Sequence, residues 1–327
     1  MKNYFCKQLF YMEISYLVLA FFVSVVMSGC FLSCGFLNGA EATYNNTIEA
    51  KLETKTAWVE QDGDSIAIDF VRPLINGKDI GWFALDTGSP IIAIDSKYTE
   101  SFDMPVIRTA QIPECNMPIS FLRGTILELG RLTLSDPVFV AIDLASLNAR
   151  ANFEEPMAGI IGYPVFAEAI IKIEYSQKRD RISLYDPKNY QLKTGQWQPL
   201  KIDGRDPIIT AKLEGDISGE FLLDTGKGGN LSLYTEFLEE HNFLKNRPVV
   251  KKRNSRLCGD TPELAGQIDW FELSGERFAN PVVRFKIPGT LGSEGDGGII
   301  GTIGRGFLQR FTVVFNYPDE KIAFISK

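Results

Sequence analysis

A single histidine, His241, stands among 327 residues, and that scarcity removes whole classes of chemistry. A Ser-His-Asp triad would have to recruit it, and zinc sites usually draw on several His or Cys ligands. His241 lies in the polar stretch Glu239-Glu240-His241-Asn242, and no Gly-x-Ser-x-Gly nucleophile motif exists to partner it. It reads as a surface helix residue. A basic stripe is missing too. The formal net charge is −7 and the short run Lys251-Lys252-Arg253 reads as a solvated loop, so nucleic acid is not an expected partner. Nor does any apolar run reach the roughly 20 residues that a membrane-spanning helix needs. If the chain is an enzyme, carboxylates must carry most of the work.

What is present is an ordinary globular composition, 45% hydrophobic and 23% charged, in a chain long enough for two modest domains or one bilobed unit. The N-terminus reads as an export signal. Lys2 and Lys7 supply positive charge, Ile14 to Met27 is uncharged and mostly apolar, and the run ends in Met27-Ser28-Gly29-Cys30. Small residues before a cysteine resemble the lipobox of bacterial lipoproteins. The resemblance implies that residues 1–29 are removed and that Cys30 is lipidated. Residues 30–64, polar and weakly patterned, then form a tether to a membrane, with the chain facing the periplasm of a bacterial envelope. Five cysteines are present, of which only Cys115 and Cys258 belong to the part expected to fold. In an oxidising periplasm they either pair or remain two unrelated thiols.

From Ser65 onward, short apolar runs separated by turn residues indicate an all-β chain with a few short helices. Ile66 to Val71 is one such run. Leu74-Ile75-Asn76-Gly77-Lys78 is another, with Asn-Gly as the preferred type I′ turn. Thr235 to Leu244 is one of the few helical stretches, with Thr235 as its N-cap.

An internal repeat organises the whole chain. Gly77 precedes Asp86 by nine residues, and Gly215 precedes Asp224 by nine. Each aspartate follows an apolar run, Trp82 to Leu85 or Phe221 to Leu223, and each is followed by Thr-Gly. Tyr98-Thr99-Glu100 is echoed by Tyr234-Thr235-Glu236, and Gly159-Ile160-Ile161-Gly162 recurs as Gly298-Ile299-Ile300-Gly301. From aspartate to the last glycine of that motif is 76 residues in the first copy and 77 in the second. Both copies close with an apolar strand, Ile182 to Tyr185 and Ile322 to Ile325. The copies span residues 65–187 and 197–327, joined by a polar connector, residues 188–196.

Asp-Thr-Gly twice, each after an apolar strand and each with an Ile-Ile-Gly run at matched distance, resembles the aspartic peptidase superfamily. The lobe size and Gly-Ile-Ile-Gly wording are closer to retroviral-type proteases, and the fusion of two lobes is pepsin-like. The resemblance covers nearly all of residues 65–327. It implies two pseudo-symmetric closed-barrel β lobes around a cleft, with Asp86 and Asp224 as the catalytic pair. Thr87 and Thr225 would cross-link the two loops, and Gly88 and Gly226 would let the backbone turn sharply. Ile160, Ile161 and Gly162, with Ile299, Ile300 and Gly301, would brace the loops and keep them dry. Substrate would be an extended peptide or protein segment hydrolysed by an activated water. Neither cofactor nor metal is required, and a monomer suffices, because both carboxyl groups sit in one chain. Flap hairpins are expected at Arg108 to Arg123 and Arg247 to Gly266, and Cys115 and Cys258 occupy roughly equivalent places within them.

One position departs from the family pattern. The residue after Asp-Thr-Gly is normally small, as Ser89 is, but the second copy has Lys227. Its ammonium either fixes Asp224 as base and Asp86 as acid, or spoils proton sharing and leaves a peptide-binding relic, or points to solvent. An active endopeptidase and a non-catalytic peptide-binding module therefore both stand as readings of the same scaffold. A purely structural envelope role leaves the repeated aspartates unexplained.

Overall fold

The computed structural model describes residues 41–44, 50–61, 64–151, 153–176, 179–295 and 297–327. The export signal and Cys30 lie outside these. Among the described residues no helix is long and apolar enough to cross a membrane.

The chain is mostly β, as short apolar runs punctuated by Gly, Asn and Asp require. Asn76 and Gly77 link the strands Leu74–Ile75 and Lys78–Asp79. Both take positive φ, 49° and 73°, as a type I′ turn demands. In the first half an eight-stranded sheet runs in the order Thr54–Gln61, Asp64–Val71, Phe83–Leu85, Gly159–Ile161, Ile92–Asp95, Val138–Ile142, Met117–Arg123, Val106–Ile112. The second half repeats that order with Asp206–Leu213, Ile217–Asp224, Ile299–Gly304, Leu231–Leu233, Val282–Lys286, Gly259–Gln267, Val250–Arg256. In both, the strand leading into Asp-Thr-Gly pairs in parallel with the strand carrying the later glycine motif. That strand in turn pairs antiparallel with the strand leaving the loop.

A third, six-stranded sheet joins the halves. Ile170–Glu174 of the first pairs antiparallel with Phe311–Asn316 of the second, flanked by Arg181–Tyr185 and Lys321–Ser326. One hydrophobic core runs through both halves, with Phe83, Phe139 and Phe166 continuous with Phe221, Phe271 and Phe315. Phe166 meets Phe315 edge-on at 5.8 Å. Each such phenylalanine contributes on the order of 2–3 kcal/mol by leaving water, so the two halves share much of their stability.

Three expectations are corrected. The sheets are open rather than closed barrels, because their outer strands, such as Val106–Ile112 and Val250–Arg256, pair on one side only. The segment read as tether contains the strands Glu41–Tyr44, Ala50–Lys51 and Thr54–Gln61. The last of these pairs along its whole length with Asp64–Val71, so ordered structure begins well before Ser65. The helix expected to reach Leu244 spans Thr235–Glu240, and its N-cap is Tyr234. The Thr235 hydroxyl instead donates to the Ser293 carbonyl at 3.0 Å. Asn242, at φ 47°, turns the chain just past the C-cap His241, which is exposed.

Candidate active site

Two loops with the same sequence meet where the halves face each other. Apolar strands Phe83–Leu85 and Ile217–Asp224 deliver them, and each loop turns back at once. Thr87 and Thr225, both fully buried, lock the loops reciprocally. The Thr87 amide donates to Thr225 Oγ1 and the Thr225 amide to Thr87 Oγ1, each at 3.0 Å. Thr87 Oγ1 donates to the Leu223 carbonyl and Thr225 Oγ1 to the Leu85 carbonyl, each at 2.8 Å. Four buried hydrogen bonds between segments about 140 residues apart leave the loops little freedom.

This grip sets the two carboxyl groups against each other. A Cβ at Gly88 would lie 2.8 Å from Asp224 Cγ, and one at Gly226 would lie 2.5 Å from Asp86 Cγ. Only glycine admits the opposing carboxyl at either place. The Gly88 amide donates to Asp86 Oδ1 and the Lys227 amide to Asp224 Oδ1, both at 2.9 Å. Each carboxyl thus lies against the opposite loop, close enough for the two to influence each other's ionisation. Burial, and then the charge of Asp224, raise the Asp86 pKa well above the ordinary carboxyl range. Burial raises that of Asp224 as well, but the Lys227 ammonium opposes it. Lys227 therefore biases the pair toward ionisation of Asp224 rather than Asp86. Lys227 itself lines the cavity beside Asp224, where desolvation lowers its pKa. It does not simply point to solvent.

Bracing of the loops follows the expectation in the first half only. Ile161 lies opposite Leu85, its carbonyl accepts from the Asp86 amide at 2.9 Å, and a Cβ at Gly162 would strike the Ser89 carbonyl at 2.2 Å. In the second half the bracing residues are Thr302, Ile303 and Gly304. Ile303 lies opposite Leu223 and Gly304 opposite Asp224, and a Cβ at Gly304 would lie 2.6 Å from the Lys227 carbonyl. A register irregularity between Glu220 and Phe221 sets Ile299 beside Glu220 and Gly301 beside Phe221. Ile299, Ile300 and Gly301 thus precede the bracing position by three residues, and Gly301 corresponds to Gly159. Ser89 occupies the place of Lys227 in the first loop and is buried, with its hydroxyl on the Ile91 carbonyl at 3.3 Å.

Of two hairpins, Val106–Ile112 with Met117–Arg123 packs on the apolar face of the first sheet, and Val250–Arg256 with Gly259–Gln267 lines a cavity at Asp224. Cys115 and Cys258 sit in their turns and are joined by a disulfide with Cα atoms 5.5 Å apart. The cavity, of about 400 Å³, reaches Asp224, Gly226 and Lys227 and is walled on the other side by Ile66, Ile68 and Phe153. Glu263 and Lys286 form a buried ion pair in its wall. Burial would raise the Glu263 pKa, but Lys286 and Lys227 overcome this and hold it at about 2. Burial and the nearby Arg256 push Lys286 down to about 7. Sequence reasoning missed this polar wall. Aligning the two copies strand by strand would have revealed it, since Arg284-x-Lys286 replaces Val140-x-Ile142. Among the described residues no grouping of His, Cys, Asp and Glu forms a metal-ligand set.

No protein-family model matches this chain, and no curated protein matches it either. The site's chemistry has to be read from its own geometry.

Proposed function

We propose that the chain is an aspartic endopeptidase, its two halves acting as the retropepsin-like lobes of a pepsin-like bilobed enzyme. The observation that carries this reading is the reciprocal threonine lock that sets Asp86 and Asp224 each against the opposite loop beside the cavity. Peptide hydrolysis needs a base for water and an acid for the carbonyl oxygen, and one shared proton supplies both. Asp224, kept ionised by Lys227, takes a proton from a water lying between the carboxyls. Asp86 gives its proton to the carbonyl oxygen as the tetrahedral diol forms. The dyad then returns the proton to the leaving nitrogen, and no covalent enzyme intermediate arises. An extended peptide under the two hairpins is the substrate geometry. The export signal and Cys30 would place the enzyme on the periplasmic side of a bacterial membrane.

A second reading, a peptide-binding module without catalysis, is favoured by Lys227, since a full positive charge beside Asp224 weakens proton sharing. Digestion of a peptide library by wild type, with and without a statine-type transition-state mimic, separates the two. Cleavage that the mimic blocks and that Asp86→Asn abolishes, with an unchanged circular dichroism spectrum, is the expected result. Equal turnover by the Asn variant would remove the peptidase assignment.

A further inference from the structure

The two halves provide a control for one another. In the first, the sheet face under the hairpin is filled: Ala84, Ala93, Val140, Ile142 and Ile160 pack with Phe121 into a buried apolar cluster. Register identifies the counterparts in the second half. Ile160 lies opposite Ala93, which pairs with Val140; Thr302 lies opposite Ser232, which pairs with Arg284. Two residues further along the same face, Ile142 corresponds to Lys286, opposite Glu263. Where the first half closes its face with hydrocarbon, the second carries a hydroxyl, a guanidinium and an ammonium around an open cavity.

That wall is not satisfied by its own residues. The Nε and Nη1 atoms of Arg256, Nη1 of Arg284 and the hydroxyl of Ser232 are shut off from solvent and have no hydrogen-bond partner among the described residues. All three residues line the cavity with Asp224 and Lys227. Neighbouring acids are engaged: Glu263 with Lys286, Asp260 with Arg150, and Asp64, outside the cavity, with the other end of Arg284. Basic side chains around the cavity outnumber acidic ones six to four. Burying donor atoms without acceptors is costly, and a ligand carboxylate, with two acceptor oxygens suited to guanidinium groups, relieves it. The second half has exchanged a filled core face for a cavity lined by basic side chains next to Asp224.

We propose that this cavity is a specificity subsite for a carboxylate of the bound peptide, received by Arg256, Arg284 and Ser232. The subsite rests on the peptidase reading in placing the acidic group close to the scissile bond. An acidic side chain and a free C-terminus present the same group, and substrates that separate them decide the source.

The test uses the full chain and fluorogenic peptides capped at both ends, with Glu or Gln at each position flanking the cleaved bond. A third set carries Gln and an uncapped C-terminus. A Glu over Gln preference of about tenfold or more in kcat/KM at one position is expected, as is its reduction to within about threefold in Arg256→Gln. A preference confined to the uncapped set assigns the carboxylate to the chain end and also supports the subsite. Equal rates for all three sets overturn it while leaving the peptidase assignment standing. Fluorescence anisotropy of the same peptides on Asp86→Asn reads the subsite without turnover. Tighter binding of carboxylate peptides by a protein whose wild type cleaves nothing upholds the subsite and sinks the peptidase reading. Should Arg256→Gln not fold, the wild-type Glu, Gln and uncapped comparison decides alone.

Discussion

Replacing Arg305 with methionine tests how the two halves are held together behind the candidate site. Arg305 follows Gly304 and is almost wholly buried. Its amide donates to the Lys227 carbonyl at 2.8 Å, and its Nε donates to Asp69 Oδ2 at 2.9 Å. Its Nη2 reaches Asp180, so one cation serves two carboxyl groups of the first half. Burial raises the Asp69 pKa to about 7 against the pull of Arg305, the largest opposing influence. An unfolded chain releases that proton near pH 4. The folded state binds it more tightly, so this group's contribution to stability declines as pH rises from about 4 to about 7 and is level beyond.

In Arg305→Met the restraining charge is gone, the Asp69 pKa climbs further, and the decline extends into alkaline pH. Removing one partner of a buried ion pair costs about 3–5 kcal/mol when the other stays charged. That is the loss expected at pH 8, with a smaller one at pH 5, where Asp69 keeps its proton. Urea unfolding of both proteins at pH 5, 6, 7 and 8 measures it, taken as a difference so that other titrating groups cancel. Tryptophan fluorescence is a suitable signal, since Trp58 lies 5.7 Å from the guanidinium carbon. Adding Asp69→Asn should flatten the extra alkaline loss. A destabilisation that is the same at every pH, or larger at pH 5, refutes the reasoning.

Three further outcomes follow from the site. Thr87→Ala leaves the Leu223 carbonyl and the Thr225 amide without their partner and should cost about 1–3 kcal/mol in thermal unfolding; a variant as stable as wild type would show that the lock contributes nothing. Lys227→Met removes the charge that opposes the burial-raised pKa of Asp224, so the acidic limb of the kcat/KM profile should move to higher pH; an unmoved limb would rule out Lys227 as its cause. Cys115→Ser with Cys258→Ser frees a link between residues 143 apart. The chain-entropy model puts that loss at about 5 kcal/mol as an upper bound, measurable by urea titration, and an unchanged midpoint would refute a stabilising role.

Much of this site was legible because its chemistry is local in sequence. Asp86-Thr87-Gly88 and Asp224-Thr225-Gly226 identify themselves by repetition, and equal spacing from Gly77 and Gly215 aligns the strands before them. The bracing glycine of the second half was misplaced because the string Gly298 to Gly301 copies Gly159 to Gly162 letter for letter. Pairing register, not wording, decides which residue meets the loop, and the ladder from Phe221 to Asp224 puts Gly304, three residues past Gly301, opposite the aspartate. Thr235 has the composition of an N-cap, but a tertiary acceptor at Ser293 claimed its hydroxyl. The charged wall was hidden for another reason. Arg256 ends one strand and Arg284 and Lys286 sit on another, and only the sheet places the two strands around one space.

The bridge between the hairpin tips has a topological consequence. Residues 115 to 258, closed by that bond, form an unbroken covalent ring that includes Asp224 and the strand Ile170–Glu174 of the sheet joining the halves. On the proposed peptidase reading, a peptide reaching Asp224 beneath the bridged hairpins would thread a free end. Linear peptides should then be cleaved, and cyclic ones of the same residues only once a reductant cuts the ring.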